Sequence, residues 1–131
     1  MYLLDTHVLL YTILNPNRLS TAHKELLAGK EQFYFSNLSI WEISLKYNTS
    51  KLKLNGYNPE TFLKLSKQAG FNLSEVSVTE IATFYKLPYM DNHKDPFDRM
   101  LIWQCIHSKM ILLSEDRKFE LYKEQGLQVI S

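Results

Sequence analysis

Tyr2-Leu3-Leu4-Asp5-Thr6-His7-Val8-Leu9-Leu10 is an apolar run, an acid, and a second apolar run begun within three residues. The first run is too short for a helix and lacks polar alternation, so residues 1–5 read as a buried strand. Residues 7–14 read as a helix, broken by Asn15-Pro16-Asn17. A buried strand feeding a helix is the opening of an α/β fold, and Asp5 stands at the junction.

The same alternation continues outward. Ser20 or Thr21 caps a helix running to about Ala28, with Gly29 as its stop. Gln32 to Ser36 reads as a second strand, and a helix from about Leu38 fades near Ser50. Asn58-Pro59-Glu60 opens a helix that ends at Gly70. Leu73 to Val78 reads as a weak strand, and Thr79 to about Lys86 as a helix. Asp95-Pro96 is a strong helix start, a capping acid followed by proline at the first helical position. Lys109 to Leu113 reads as a strand, Glu115 to Gln125 as a helix, and Leu127 to Ile130 as a closing strand. Such alternation predicts a parallel sheet with helices on both faces. Ligands of such sheets bind beyond the carboxyl ends of the strands, where Asp5 and Asp116 both fall.

A chain of 131 residues, 45% hydrophobic and 22% charged, fits one soluble domain over residues 1–131. No apolar run approaches the about 18 residues of a membrane span. The N-terminus has Asp5 and His7 where a signal peptide is apolar, so a cytoplasmic location is expected. The lone Cys105 has no partner for an internal disulfide.

Four acids stand beside apolar sequence, where a carboxylate needs a cationic partner. Asp5 ends the first run. Glu42 lies in Leu38-Ser39-Ile40-Trp41-Glu42-Ile43, Asp98 heads a helix whose face continues through Leu101, Ile102 and Cys105, and Asp116 follows Met110-Ile111-Leu112-Leu113-Ser114-Glu115. Each also has a structural explanation. Asp5 and Asp116 can cap the helices after them, Asp98 can favour a helix dipole, and Glu42 can pair with Lys46 four residues on. Together they suit a divalent metal and phosphate chemistry. With these acids set aside, the rest of the chain is basic, which suits a polyanionic substrate. His7, His23, His93 and His107 show no zinc-ligand spacing, and no P-loop, GxGxxG or GxSxG occurs. Phe33, Tyr34, Phe35, Trp41, Trp103 and Tyr122 are expected in the core or on a dimer surface.

Leu3 to Leu10, Ser39-Ile40-Trp41-Glu42-Ile43 with Lys46, His93-Lys94-Asp95-Pro96-Phe97-Asp98-Arg99-Met100-Leu101-Ile102, and Leu113-Ser114-Glu115-Asp116 with Phe119 resemble the PIN-domain family, and within it the VapC-type toxins. The resemblance covers essentially the whole chain in order. The chain departs from the subgroup at Ser50, where Gly is frequent, and at Trp103 and Cys105, where small residues are usual.

The resemblance implies a three-layer α/β/α sandwich with a five-stranded parallel sheet. It implies that Asp5, Glu42, Asp98 and Asp116 bind one or two Mg²⁺ or Mn²⁺ ions and hydrolyse RNA phosphodiesters. Hard oxygen ligands suit both ions. Thr6, Ser114 and Asp95 are expected to support these ligands, and Arg99 and Lys46 to meet phosphate. A cognate antitoxin and a homodimer are implied as partners. The alternative is a non-catalytic α/β binding module, either receiver-like or a degenerate PIN domain acting through protein partners. A receiver wants an acceptor Asp ending its middle strand, and residues 73–78 offer only Glu75.

Overall fold

The computed structural model describes residues 1–131. Five strands, β1 (Tyr2–Leu4), β2 (Phe33–Ser36), β3 (Asn72–Ser74), β4 (Ile111–Leu113) and β5 (Gln128–Ile130), form one sheet in the order β3-β2-β1-β4-β5. Every pairing is parallel; Leu4 of the central β1 lies opposite Phe35 on one side and Leu113 on the other. All strands therefore end at one edge, which carries Asp5, Ser36 and Ser114. Six α-helices connect them: α1 (Thr6–Leu14), α2 (Thr21–Leu27), α3 (Asn37–Asn48), α4 (Pro59–Gln68), α5 (Val78–Thr83) and α6 (Pro96–Ser108).

Side-chain alternation along the strands divides the core in two. Leu4, Phe33, Phe35 and Leu113 point to one face, where they meet Val8 and Leu9 of α1, Ile43 of α3 and Phe62 of α4. Leu3 and Leu112 point to the other, against Leu101 and Ile102 of α6 and the pair Phe119 and Tyr122. The result is the expected α/β/α sandwich with a five-stranded parallel sheet. No helix is long and apolar enough to cross a membrane.

The predicted starts are sharp because the caps are local. Ser20 accepts the His23 N–H and Asn58 the Thr61 N–H, while Asp95 accepts those of Phe97 and Asp98. Three elements differ from expectation. The third strand stops at Ser74, because Val76 N–H turns to the Asn37 side chain instead of a neighbouring strand. The expected helix after it becomes α5 plus a 3-10 turn, Phe84–Lys86. The expected last helix is a 3-10 segment, Arg117–Gln125. Its buried residues, Phe119 and Tyr122, are three apart, the repeat at which a 3-10 turn brings side chains into line. Of the aromatics, Phe33, Phe35 and Tyr122 are buried, whereas Trp41 is 59% exposed. Trp103 ties α6 to α5 by donating to Thr83 Oγ1. Cys105 is buried, and burial pushes its thiol well above its ordinary range.

Ser50 has φ 59°, a left-handed conformation, just past α3. Its N–H donates to Tyr47 O, and the Lys51 N–H to Lys46 O, so the turn closes the helix end. This is the position where the resembling subgroup carries Gly, and the backbone gives the reason. Ser50→Gly is expected to stabilise the fold by about 0.5–1 kcal/mol in urea unfolding, and Ser50→Val to destabilise it. Equal midpoints for all three proteins would show that this turn does not limit stability.

Candidate functional site

The three acids on β1, α3 and α6 meet at the carboxyl edge of the sheet because their elements converge there. Asp5 follows β1 directly and is almost completely buried. It caps α1, accepting the Val8 N–H at 2.8 Å. Glu42 lies on the buried stripe of α3 with Ser39 and Ile43, and is 2% exposed. The stripe does not include Leu45, which is exposed. Asp98 sits in the first turn of α6, half-buried above Leu101 and Ile102.

Burial and the charge of neighbouring acids mark Asp5 and Asp98. Burial is the main cause that lifts Asp5 above the ordinary carboxylate range, and the Glu42 charge adds to it. The Ser114 hydroxyl, the Val8 N–H and His7 pull the other way without cancelling it. Asp98 is pushed up to about 6, by burial first and then by Asp95, with smaller contributions from Asp5 and Glu42. Only the His93 hydrogen bond opposes the rise.

One cation answers these charges. Lys46 Nζ lies 2.6 Å from Glu42 Oε2. Partial burial works to lower the ammonium's pKa, but the Glu42 hydrogen bond and the charges of Glu42, Asp95 and Asp98 outweigh it and hold it raised. The other oxygen, Glu42 Oε1, is buried with no hydrogen-bond partner. A buried carboxylate oxygen left bare is costly, and it is the observation that fits a further cation here. The donors are all hard oxygens, the chemistry Mg²⁺ and Mn²⁺ prefer. The side chains are nonetheless spread: no three His, Cys, Asp or Glu groups stand close enough to hold an ion.

Asp116 is placed differently. It is exposed and caps the 3-10 segment by accepting the Lys118 N–H. It shares with Asp5 the lining of a cavity of about 290 Å³ that also includes His7 and Tyr11. It stands across that cavity instead of joining the inner three acids.

The supporting residues also divide. Thr6 donates to Ser39 Oγ at 2.9 Å, so it fixes α1 against α3 and does not touch an acid itself. Ser114 Oγ accepts the Asp116 N–H and sits beside Asp5. Asp95 is the cap of α6, near enough to raise Asp98. Arg99 corrects the expectation of a phosphate contact. It is buried, donates to the carbonyls of Leu87 and Pro88 and lies over the Tyr89 ring at 4.1 Å. Its charge is spent inside the loop.

Two residues were passed over in the sequence. His93 is buried between Tyr122 OH, 3.0 Å from Nδ1, and Asp98 Oδ2, 3.3 Å from Nε2. The signal was the dipeptide before it. Asp91 and Asn92 both have left-handed φ, and the His93 N–H returns to Met90 O, a tight turn that suits Asp and Asn. Glu115 accepts the Ser20 N–H and faces His23 Nδ1, thereby tying α2 to the loop that carries Asp116.

A family model described as PIN domain matches residues 2–125. No curated protein matches the chain. Among solved structures, the chain is similar to one in VapBC2 from Rickettsia felis bound to a DNA fragment from their promoter, with TM-score 0.66 and 17% identity over 98% of this chain and 96% of that one. It is similar also to a chain in DNA-bound VapBC from Salmonella typhimurium, with TM-score 0.65 and 15% identity over 98% and 96%. A third likeness is to VapBC-1 from nontypeable Haemophilus influenzae, with TM-score 0.63 and 14% identity over 99% and 96%. At these identities the structures speak for the fold alone. The match of the family model over almost the entire sequence carries more: the chain belongs to the PIN domain family.

Proposed function

We propose that this PIN domain, working as a single domain over residues 1–131, is a metal-dependent endoribonuclease and the toxin of a toxin–antitoxin pair. The observation that carries the reading is Glu42 Oε1, buried and unpartnered, at the edge of the sheet that also carries buried Asp5 and half-buried Asp98. Asp5, Glu42 and Asp98 would hold one or two Mg²⁺ or Mn²⁺ ions, with Asp116 contributing from across the Asp5 cavity. When bound, such an ion supplies an activated water and neutralises charge on the phosphate. The protein residues do the placing. His93 holds Asp98 Oδ2, Ser114 supports the Asp116 loop, and the Thr6–Ser39 bond sets the distance of α1 from α3. Lys46, paired with Glu42 at the mouth of the site, would be the side chain to meet a substrate phosphate.

Partner and assembly follow the same reading. The similarity to VapBC complexes supports a cognate antitoxin. A basic antitoxin side chain set among the acids would mimic Lys46 and exclude metal. Val78, Ile81 and Tyr85 lie three and four residues apart, all more than half exposed, and this apolar face supports a homodimer. The second reading, a non-catalytic module acting through protein partners, is favoured by the spread of the acids and by the Lys46–Glu42 pair. A cytoplasmic site of action accords with an RNA substrate.

Activity separates the two. The purified chain, freed of partner, should cut RNA with Mg²⁺ or Mn²⁺ and stop with EDTA; Asp5→Asn and Asp98→Asn should each abolish cutting while far-ultraviolet circular dichroism stays unchanged. Undiminished cutting by both variants sinks the assignment of these acids. In cells without antitoxin, the wild-type chain should arrest growth and Glu42→Gln, at matched expression, should not. Equal toxicity of the two would remove the toxin reading in this form.

Stability should report the same acids. Asp98 binds its proton more tightly folded, near pH 6, than unfolded, near 4. Its contribution is therefore fully present below pH 4 and is lost as pH rises through 6. In EDTA, the melting temperature should be lower at pH 7.5 than at pH 5, and Asp98→Asn should shrink the difference. Millimolar Mn²⁺ should restore stability at pH 7.5, by about 2.7 kcal/mol at a hundredfold excess over its dissociation constant. A melting temperature indifferent to Mn²⁺ would support the binding module.

A further inference from the structure

A groove of about 400 Å³ adjoins the acids, lined by α1, α3 and residues 51–55, with Glu42 in its wall. Its charged lining is otherwise cationic or neutral: Arg18, Lys46, Lys51 and Lys53, with His7. Lys46 is engaged by Glu42, but Arg18, Lys51 and Lys53 are exposed and form no ion pair. The sequence sets the two lysines deliberately. In Lys51-Leu52-Lys53-Leu54 the leucines are the less exposed residues, Leu54 to within 1% of complete burial, and both lysines line the groove. The segment is tied at both ends, by the left-handed turn at Ser50 and by Asn55 Nδ2 donating to Leu14 O. Arg18 lies over the Tyr11 ring at 4.6 Å, which makes a flat, charged platform in the same groove.

We infer that this groove is the track along which a single RNA strand is led to the acids, an inference that rests on the nuclease reading above. Lys51 and Lys53 take consecutive phosphates, and the Arg18–Tyr11 stack takes a base face. Glu42 and Thr6, the neighbour of Asp5, line the groove, so a strand held there passes beside the acids. An acidic peptide would use the cations but has no need of the stack or of a route into the carboxylates.

The test is anisotropy of a short fluorescein-labelled single-stranded RNA of mixed sequence, over a salt series, in an Asp98→Asn background that prevents cutting. Each phosphate contact contributes about 0.7 to the slope of log affinity against log salt for a single strand, so adding Lys51→Ala/Lys53→Ala should make it shallower by about 1.4. Lys64→Ala/Lys67→Ala, which removes the same charge from exposed positions on α4, should leave slope and affinity unchanged. With Asp98 intact and Mn²⁺ present, the Lys51/Lys53 pair should raise KM for RNA and spare kcat. The track is overturned if this background binds no RNA or if the two lysine pairs behave alike. Cleavage by the intact chain in any of those cases leaves the nuclease reading standing; failure of the intact chain to cut any RNA removes both.

Discussion

Holding Asp5, Glu42 and Asp98 out of water near one another is the demand that the surrounding structure answers. Each is costly alone; the Glu42 charge raises Asp5, and Asp5 and Glu42 both add to the rise of Asp98. The neighbourhood supplies opposing groups one by one: a helix N–H and a hydroxyl at Asp5, an ammonium at Glu42, an imidazole at Asp98. None of these reaches Glu42 Oε1. The fold thus balances most of the negative charge and leaves that one oxygen without a partner. Stability and function pull in opposite directions here, and the two large apolar layers on either side of the sheet carry the difference.

The topology explains why residues so far apart in sequence can share that burden. With β1 in the middle, its end faces the start of α3, which follows β2 on one side, and the loop after β4 on the other. The α6 helix covers the second face and presents its first turn at the same edge. Parallel strands make this convergence automatic, since all of them run toward the site.

Much of this was legible in the residues, and what was not has a common cause. Caps such as Ser20, Asn58 and Asp95 act over three residues, so local sequence was enough to place them. The inward turn of Leu101 and Ile102 beneath Asp98 followed from helical period alone. Long-range choices were hidden. Arg99 looks like a site cation beside Asp98, yet the carbonyls of Leu87 and Pro88 capture it. His93 shows no ligand spacing because its partners, Tyr122 and Asp98, come from different segments. Asp116 follows a strand end, as Asp5 does, but it stands exposed as the cap of a 3-10 segment. Helix or 3-10 is decided there by what Phe119 and Tyr122 pack against, not by the segment itself.

The central position of β1 also sets an order of events during synthesis. Its first neighbour, β2, emerges within a few dozen residues, and Asp5 and Glu42 can come together then. Its other neighbour, β4, is made only after α6, so that edge of β1 stays open until the last part of the chain is available. A nascent chain can therefore bring Asp5 and Glu42 together before Asp98 and Asp116 have been made. Nearly the whole polypeptide is synthesised before β4 can pair with β1, and a prematurely terminated chain is left with an unpaired strand edge.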